Sequence, residues 1–152
     1  MTTQMRVKIE GVSEVIAQIK RRGGNVQDGL EAIMNAAAEP IQDAATANAR
    51  SISQRTADAM TKETVLKRGG RVEVHIGPEK SRAFYAHIIE FGARPHRIVP
   101  RRAKALRFIN GLIRRSANHP GSPARPFMRP AFDNRHDEAT AIAAAEIKKR
   151  LR

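Results

Sequence analysis

The sequence predicts an α+β fold: an antiparallel sheet of about four to five strands packed by a long N-terminal helix and a C-terminal helix, with a long basic loop. Three patterns lead there. Apolar residues recur mostly every three or four positions between Val26 and Ala49, the spacing of one buried helix face. Two turn dipeptides, Gly69-Gly70 and Asn110-Gly111, separate short alternating runs, as in hairpins. Apolar positions at helical spacing return between Phe132 and Leu151. Strands joined to their sequence neighbours by tight turns pair antiparallel, and helices then pack on one face.

Taken in order, Met5, Val7 and Ile9 alternate with Arg6, Lys8 and Glu10, a short strand with one wet face that Gly11 ends. Val12, Val15, Ile16 and Ile19 follow at helical spacing, and Gly23-Gly24 terminates this first helix. Asn25 is a candidate N-cap for the long helix, with Asp28 in the first turn where the helix dipole favours an acid. Its apolar face is Val26, Leu30, Ile33, Ala37, Ile41, Ala44 and Ala49, so it runs to about residue 50. Pro40 lies inside it. Proline there loses a hydrogen bond and crowds the Ala36 carbonyl, at ~3 kcal/mol in a regular helix. The stripe continues on both sides, so a kink rather than a stop is expected.

Residues 51–62 are polar and read as a loop. “ETVLKRG” and “RVEVHIGP” form a hairpin that Gly77-Pro78 ends. Ser81 can cap a short helix whose Phe84, Tyr85, Ile88 and Ile89 share a face, with Gly92 at its left-handed stop. Residues 93–105 lack a period, hold two prolines and are expected to be a mobile basic loop. “LRFI” and “LIRR” (106–109 and 112–115) flank Asn110-Gly111 as a second hairpin. Phe132, Ala139, Ile142, Ala143, Ile147 and Leu151 mark the last helix, whose end “KKRLR” complements the dipole. No repeat or second domain appears, so residues 1–152 read as a single domain.

“HPGSPARPFMRPAF” (119–132) holds four of the eight prolines. Prolines extend the chain before them. A Pro-x-x-Pro ligand for a reader domain is one reading. The other is a joint over 119–131 that locks the start of the last helix against the sheet. Pro130 would open that helix, where a missing N–H costs nothing, and Phe127 would anchor the segment in a pocket.

Composition bounds the rest. There are 24 alanines and only 4% aromatics, and alanine buries little area, so the core should be thin and lean on contacts with other chains. Cysteine is absent, which excludes disulfides and cysteine-based zinc sites. No stretch approaches the ~20 apolar residues of a membrane span, and “MTTQMRVKIEG” has no apolar run fit for a signal peptide; a soluble protein is expected. The net charge is +13, and its placement matters more than its size. Residues 91–132 carry ten basic residues and no acid: Arg94, Arg97, Arg101, Arg102, Lys104, Arg107, Arg114, Arg115, Arg125 and Arg129. Such a block seeks polyanions or acidic protein surfaces, or is simply solvated. No helix-turn-helix, zinc-finger or stacking-aromatic pattern supports sequence-specific reading.

“YAHIIEFG” (85–92), followed by “KALRF” (104–108), “HPG” (119–121) and “PFMRPAF” (126–132), resembles the tail-completion or head–tail joining proteins of long-tailed bacteriophages, including the minor tail protein Z-like group. Tyr85, Ala86, Glu90, Phe91, Gly92, Pro126, Phe127, Arg129, Pro130 and Ala131 match that pattern, and the small helix and long alanine-rich helix agree in order. One departure is “RTADAM” (55–60), where related proteins often carry Thr-Gly-x-Leu: Thr56 is kept, and glycine and leucine are not. The resemblance implies a structural virion protein at the neck, made in the host cytoplasm, contacting other neck and tail proteins and forming a ring of six-fold order. Arg94, Arg97, Arg101, Arg102 and Lys104 are the candidate contacts with DNA or an acidic neighbour. The alternatives are a nonspecific nucleic-acid-binding protein and a tail terminator ring subunit.

No catalytic pattern competes with this. His75, His87, His96, His119 and His136 are scattered, and His87 with Glu90 gives two ligands, short of a metal site. The serines lack a partnered base, no glycine spacing cradles a phosphate, and a nuclease would need clustered carboxylates. No enzyme activity, cofactor, small-molecule substrate or membrane contact is expected. Glu90, flanked by Ile88, Ile89 and Phe91, is either a surface acid at a helix end or a partly buried one needing a partner, for which Arg125 and Arg129 are candidates.

Overall fold

The structure, a computed structural model, describes residues 26–67, 71–101 and 103–151, with residues 17 and 21 helical ahead of them. The expected strand at 5–11, most of the first helix and the Gly69-Gly70 turn lie outside the described residues. Two compact units divide the chain, Met1–Phe84 with Phe127–Arg152, and Tyr85–Pro126.

In the first unit, α1 (Val26–Ile52) runs unbroken through Pro40. Leu30, Ile33, Ala37, Ile41, Ala45 and Ala49 are buried at steps of three and four. The stripe passes through Ala45 rather than the expected Ala44, because four-residue steps from Ala37 hold the same face. Against it packs α4 (Met128–Leu151), with Ile33 and Ala37 meeting Ala143 and Ile147. Among the described residues, eleven of the fifteen buried apolar ones are alanines, so the core is as thin as the composition implies. At the far end of α4, Arg150 hydrogen-bonds Glu146 one turn earlier. This bond, helped by Lys149, holds the Glu146 carboxyl below the usual carboxylate range. The pair's small contribution is therefore present at neutral pH and is lost as pH falls through that lowered value.

Residues 51–62 are not the loop that their polarity suggested. Ser53 accepts the Thr56 N–H at 3.3 Å and starts a single turn, α2 (Gln54–Ala57). Three small side chains, Thr56, Ala57 and Ala59, are buried there. Polarity is a poor guide when what is buried is a methyl group. The Thr56 hydroxyl has no hydrogen-bond partner among the described residues. An orphaned buried hydroxyl costs about 1–3 kcal/mol. Thr56→Val is therefore expected to raise the urea midpoint, by about 1 kcal/mol of stability; a lowered midpoint would mean the hydroxyl is paired.

β1 (Met60–Lys67) and β2 (Arg71–Pro78) form the expected hairpin in antiparallel register, from Met60↔Pro78 to Lys67↔Arg71. The Glu79 N–H closes its base on the Ala59 carbonyl at 2.8 Å. Asn35 of α1 fixes the hairpin: its side-chain oxygen accepts the Thr64 hydroxyl at 2.9 Å, and its carbonyl accepts Lys62 Nζ at 3.3 Å. Cross-strand partners share a face, so Val74 and Ile76 lie on the α1 side with Thr64 and Lys62.

The second unit holds α3 (Ala86–Phe91) and four short strands, β3 (His96–Ile98), β4 (Leu106–Arg107), β5 (Ile113–Arg114) and β6 (Ala117–His119). The expected sheet of four to five strands is not formed. The described residues make three separate two-stranded antiparallel pairs, β1–β2, β3–β6 and β4–β5. Turn chemistry specifies a strand and its sequence neighbour, but adding pairs side by side needs a buried face. β3 and β5 are exposed along their whole length and offer none. Two more expectations shift. Ser81 bonds Glu79 instead of capping, and α3 starts from Tyr85 without a side-chain cap. The last helix begins at Met128, two residues before Pro130, which still lies in the first turn where its missing N–H is harmless.

Candidate assembly interface

The motif segments 85–93 and 119–126 lie together in the second unit, held by main chain. Ala93 and Ser122 exchange both N–H···O bonds at 2.9 Å, and the Arg125 N–H donates to the Ile89 carbonyl at 2.7 Å. Two glycines make this approach possible. Gly92 has φ +71°, and a Cβ on it would lie 2.6 Å from the Ser122 carbonyl oxygen. Gly121 has φ +87°, and a Cβ there would lie 2.3 Å from the Ala93 carbonyl oxygen. Both positions exclude a side chain on conformation and on space. Next to the bridge, β3 pairs β6 with His96 opposite His119, their rings stacked at 5.0 Å. Arg97 reaches the Ser116 hydroxyl at 2.8 Å. Residues 96–98 of the expected loop are thus a strand.

Phe127, in the first unit, is 1% exposed. Its carbonyl accepts the Asn48 side-chain amide of α1 at 3.1 Å, so the start of α4 is tied to a helix rather than to a sheet. Ala131 is buried beside it in sequence, Pro130 half-buried and Pro126 and Arg129 exposed.

Short helix α3 presents the reverse of the face that its apolar spacing suggested. Ala86 and Glu90 are buried, Glu90 at 7% exposure, while Ile88 and Phe91 face solvent, Phe91 at 57%. Tyr85 and Ile89 are intermediate, and Phe84 is exposed. Ile98, Val99, Phe108, Ile109, Leu112 and Ile113 are exposed as well, so among the described residues eight of the nine exposed large apolar side chains fall within Tyr85–Pro126. Arg94, Arg97, Arg101 and Lys104 are exposed among them, and Arg102 lies outside the described residues. Glu90 is the one acid of this unit. Gly121 stood in the sequence only as part of the “HPG” motif, without a role, and Ser122 and Asn48 were missed. The glycine after His119-Pro120 was a visible turn element, but its partner Ala93 lies 28 positions away, beyond any local pattern.

A two-glycine staple thus holds a unit that displays apolar and cationic side chains. Among the described residues, no group of three or more His, Asp or Glu side chains could hold a metal ion, and no helix is long and apolar enough to cross a membrane. The paired main chain also sets an order for proteolysis. Trypsin is expected to cut within 101–104 before it cuts after Arg97, because β3 must first unpair from β6. Mass analysis of early fragments checks this, and equal cutting after Arg97 would mean that the β3–β6 pair opens freely.

Residues 13–92 match the model of a family described as “Bacteriophage HK97-gp10, putative tail-component”. The match takes in the Glu-Phe-Gly motif and stops before the proline-rich segment. No curated protein and no solved structure compared with the chain matches it.

Proposed function

Because the chain belongs to the HK97-gp10-like family of bacteriophage tail components, we propose that it completes the tail or joins it to the DNA-filled head at the neck. The observation that carries this is the surface of Tyr85–Pro126, where exposed apolar side chains are set among cations, with the unit's one acid buried. Exposed apolar clusters of this kind mark protein–protein contacts, and a core made mostly of alanine gains from surface buried between subunits. The role is structural rather than catalytic. The chain acts as one subunit of a closed ring, in which every interface is satisfied; six-fold order is taken over from the neck proteins that it resembles. Arg94, Arg97, Arg101 and Lys104 meet DNA in the channel or an acidic neighbour. The virion neck is its site of action, reached from the host cytoplasm during assembly.

Removing the gene from an active phage is expected to leave DNA-filled heads and full-length tails that accumulate separately, seen by electron microscopy. Purified protein added back should join them and restore infectivity. A block in DNA packaging would end this reading, and absence of tail tubes would place the protein earlier in tail assembly. Tails of uncontrolled length would favour a terminator ring.

A further inference from the structure

We propose that the β4–β5 hairpin is a docking finger, whose apolar tip enters an apolar groove rimmed by carboxylates on the tail protein against which this chain sits. The proposal rests on the tail-joining reading above and names the contact that performs it. The hairpin is built around a three-residue loop, not the two-residue turn that Asn110-Gly111 suggested. The Phe108 N–H donates to the Leu112 carbonyl at 2.9 Å, and the Gly111 N–H to the Phe108 carbonyl at 2.9 Å. Asn110 Oδ1 accepts the Leu112 N–H at 3.3 Å, and Gly111 takes φ +81°. This is a turn followed by a left-handed glycine, which pre-shapes the loop and limits the ordering cost of docking.

The one-residue change of register decides what the tip presents. Ile109 becomes the first loop residue and is fully exposed, with Leu112 at 49% and Ile113 at 68% exposure behind it. A hairpin of four paired residues with no covering layer is otherwise a poor place for such side chains.

Charge selects the occupant. Lys104, Arg107, Arg114 and Arg115 are exposed beside the tip, and no acid occurs anywhere between residues 91 and 132. A second copy offering the same face would meet like charge. Duplex DNA would satisfy the cations and leave the apolar tip with nothing to bury against. An anionic bilayer wants apolar side chains in front and cations behind, but here they interleave. Arg107 pairs with Ile113 on one face, and Leu106 with Arg114 on the other. A protein groove with carboxylates at fixed depths matches that interleaving, and central apolar anchors with charged rims are how such contacts divide affinity and orientation.

The test uses tails assembled by a phage lacking this chain, mixed with full-length wild-type protein or variants and separated by sedimentation. Ile109→Asp combined with Leu112→Asp should weaken tail binding about tenfold or more while leaving the melting curve unchanged. Arg107→Glu with Arg114→Glu should do the same, and added salt should weaken the wild type more than this charge-reversed form. Ile109→Leu should bind as wild type does. The finger is overturned if the double aspartate variant binds tails and joins heads like the wild type. It is equally overturned if the variants lose binding only to duplex DNA or to phosphatidylglycerol vesicles. Wild-type protein that binds tails without joining heads would overturn the joining reading and leave the finger standing. Wild-type protein that does not bind tails would overturn both.

Discussion

Phe127→Ala is expected to lower the unfolding free energy by about 3–5 kcal/mol, the cost of truncating a buried aromatic. Among the described residues Phe127 is the largest fully buried side chain, and most of the other buried apolar ones are alanines. Alanines cannot swing into the space that a lost ring leaves, so the cavity term should be near its full value. The same residue holds the start of α4 through its carbonyl, which accepts the Asn48 amide. A domain stabilised by about 5–15 kcal/mol would lose a large part of that reserve. Urea unfolding measures it, with Phe91→Ala as the companion variant. Phe91 matches the family pattern as Phe127 does but is 57% exposed, so its loss should change stability by no more than about 0.5 kcal/mol. Equal midpoints for the two variants would mean that Phe127 is not a core residue.

Gly121→Ala is expected to open the staple between residues 93 and 122. Positive φ costs a residue with Cβ roughly 1–2 kcal/mol, and the Cβ would lie 2.3 Å from the Ala93 carbonyl oxygen. That oxygen accepts the Ser122 N–H, so relieving the overlap means giving up the paired bonds, each worth about 1 kcal/mol. The combined loss is about 3 kcal/mol, confined to Tyr85–Pro126. Two other glycines separate the causes. Gly111 shares the positive φ but has open space around its Cβ position, and Gly77 has open space without the strained φ. Hydrogen exchange at the Ala93 and Ser122 amides should therefore quicken strongly for Gly121→Ala, little for Gly111→Ala and not at all for Gly77→Ala. Unchanged protection in Gly121→Ala would show that the bridge is not held by this close approach.

These two substitutions bear on function differently. Loss of Phe127 attacks the unit built from α1, α4 and the long hairpin, whereas loss of Gly121 attacks the unit that displays the apolar and basic side chains. If the proposed joining role is right, Gly121→Ala should impair head–tail joining more than its modest effect on the first unit would suggest.

The parts that were legible in the sequence are those set by short-range physics. Periodicity located α1 and α4 to within a few residues, because a helix repeats its buried face every three or four positions whatever it packs against. Turn chemistry located the β1–β2 hairpin, because glycines mark where the chain can reverse. Alanine content foretold the thin core, and the absence of acids from 91–132 was plain before any fold was known. Gly92 was legible as a left-handed helix stop and Phe127 as an anchor, but the close approach of the Ser122 carbonyl to Gly92 was not.

What the tertiary structure alone decided depends on residues far apart or on what covers a surface. The pairing of His96 with His119 and of Ala93 with Ser122 joins segments more than twenty positions apart, across a basic stretch without one sustained period. No local pattern ranks one such pairing above another, so the sheet was expected to be larger than its three separate pairs. The α3 helix shows the same limit in six residues. Its apolar spacing told which side chains gain by leaving water, Phe84 and Ile88 among them, but not whether their own chain would cover them. The fold buries Ala86 and Glu90 instead and leaves Ile88 and Phe91 outside, because the covered side of a helix is set by what the rest of the chain lays against it, here residues 122–125 paired through Ala93 and the Ile89 carbonyl.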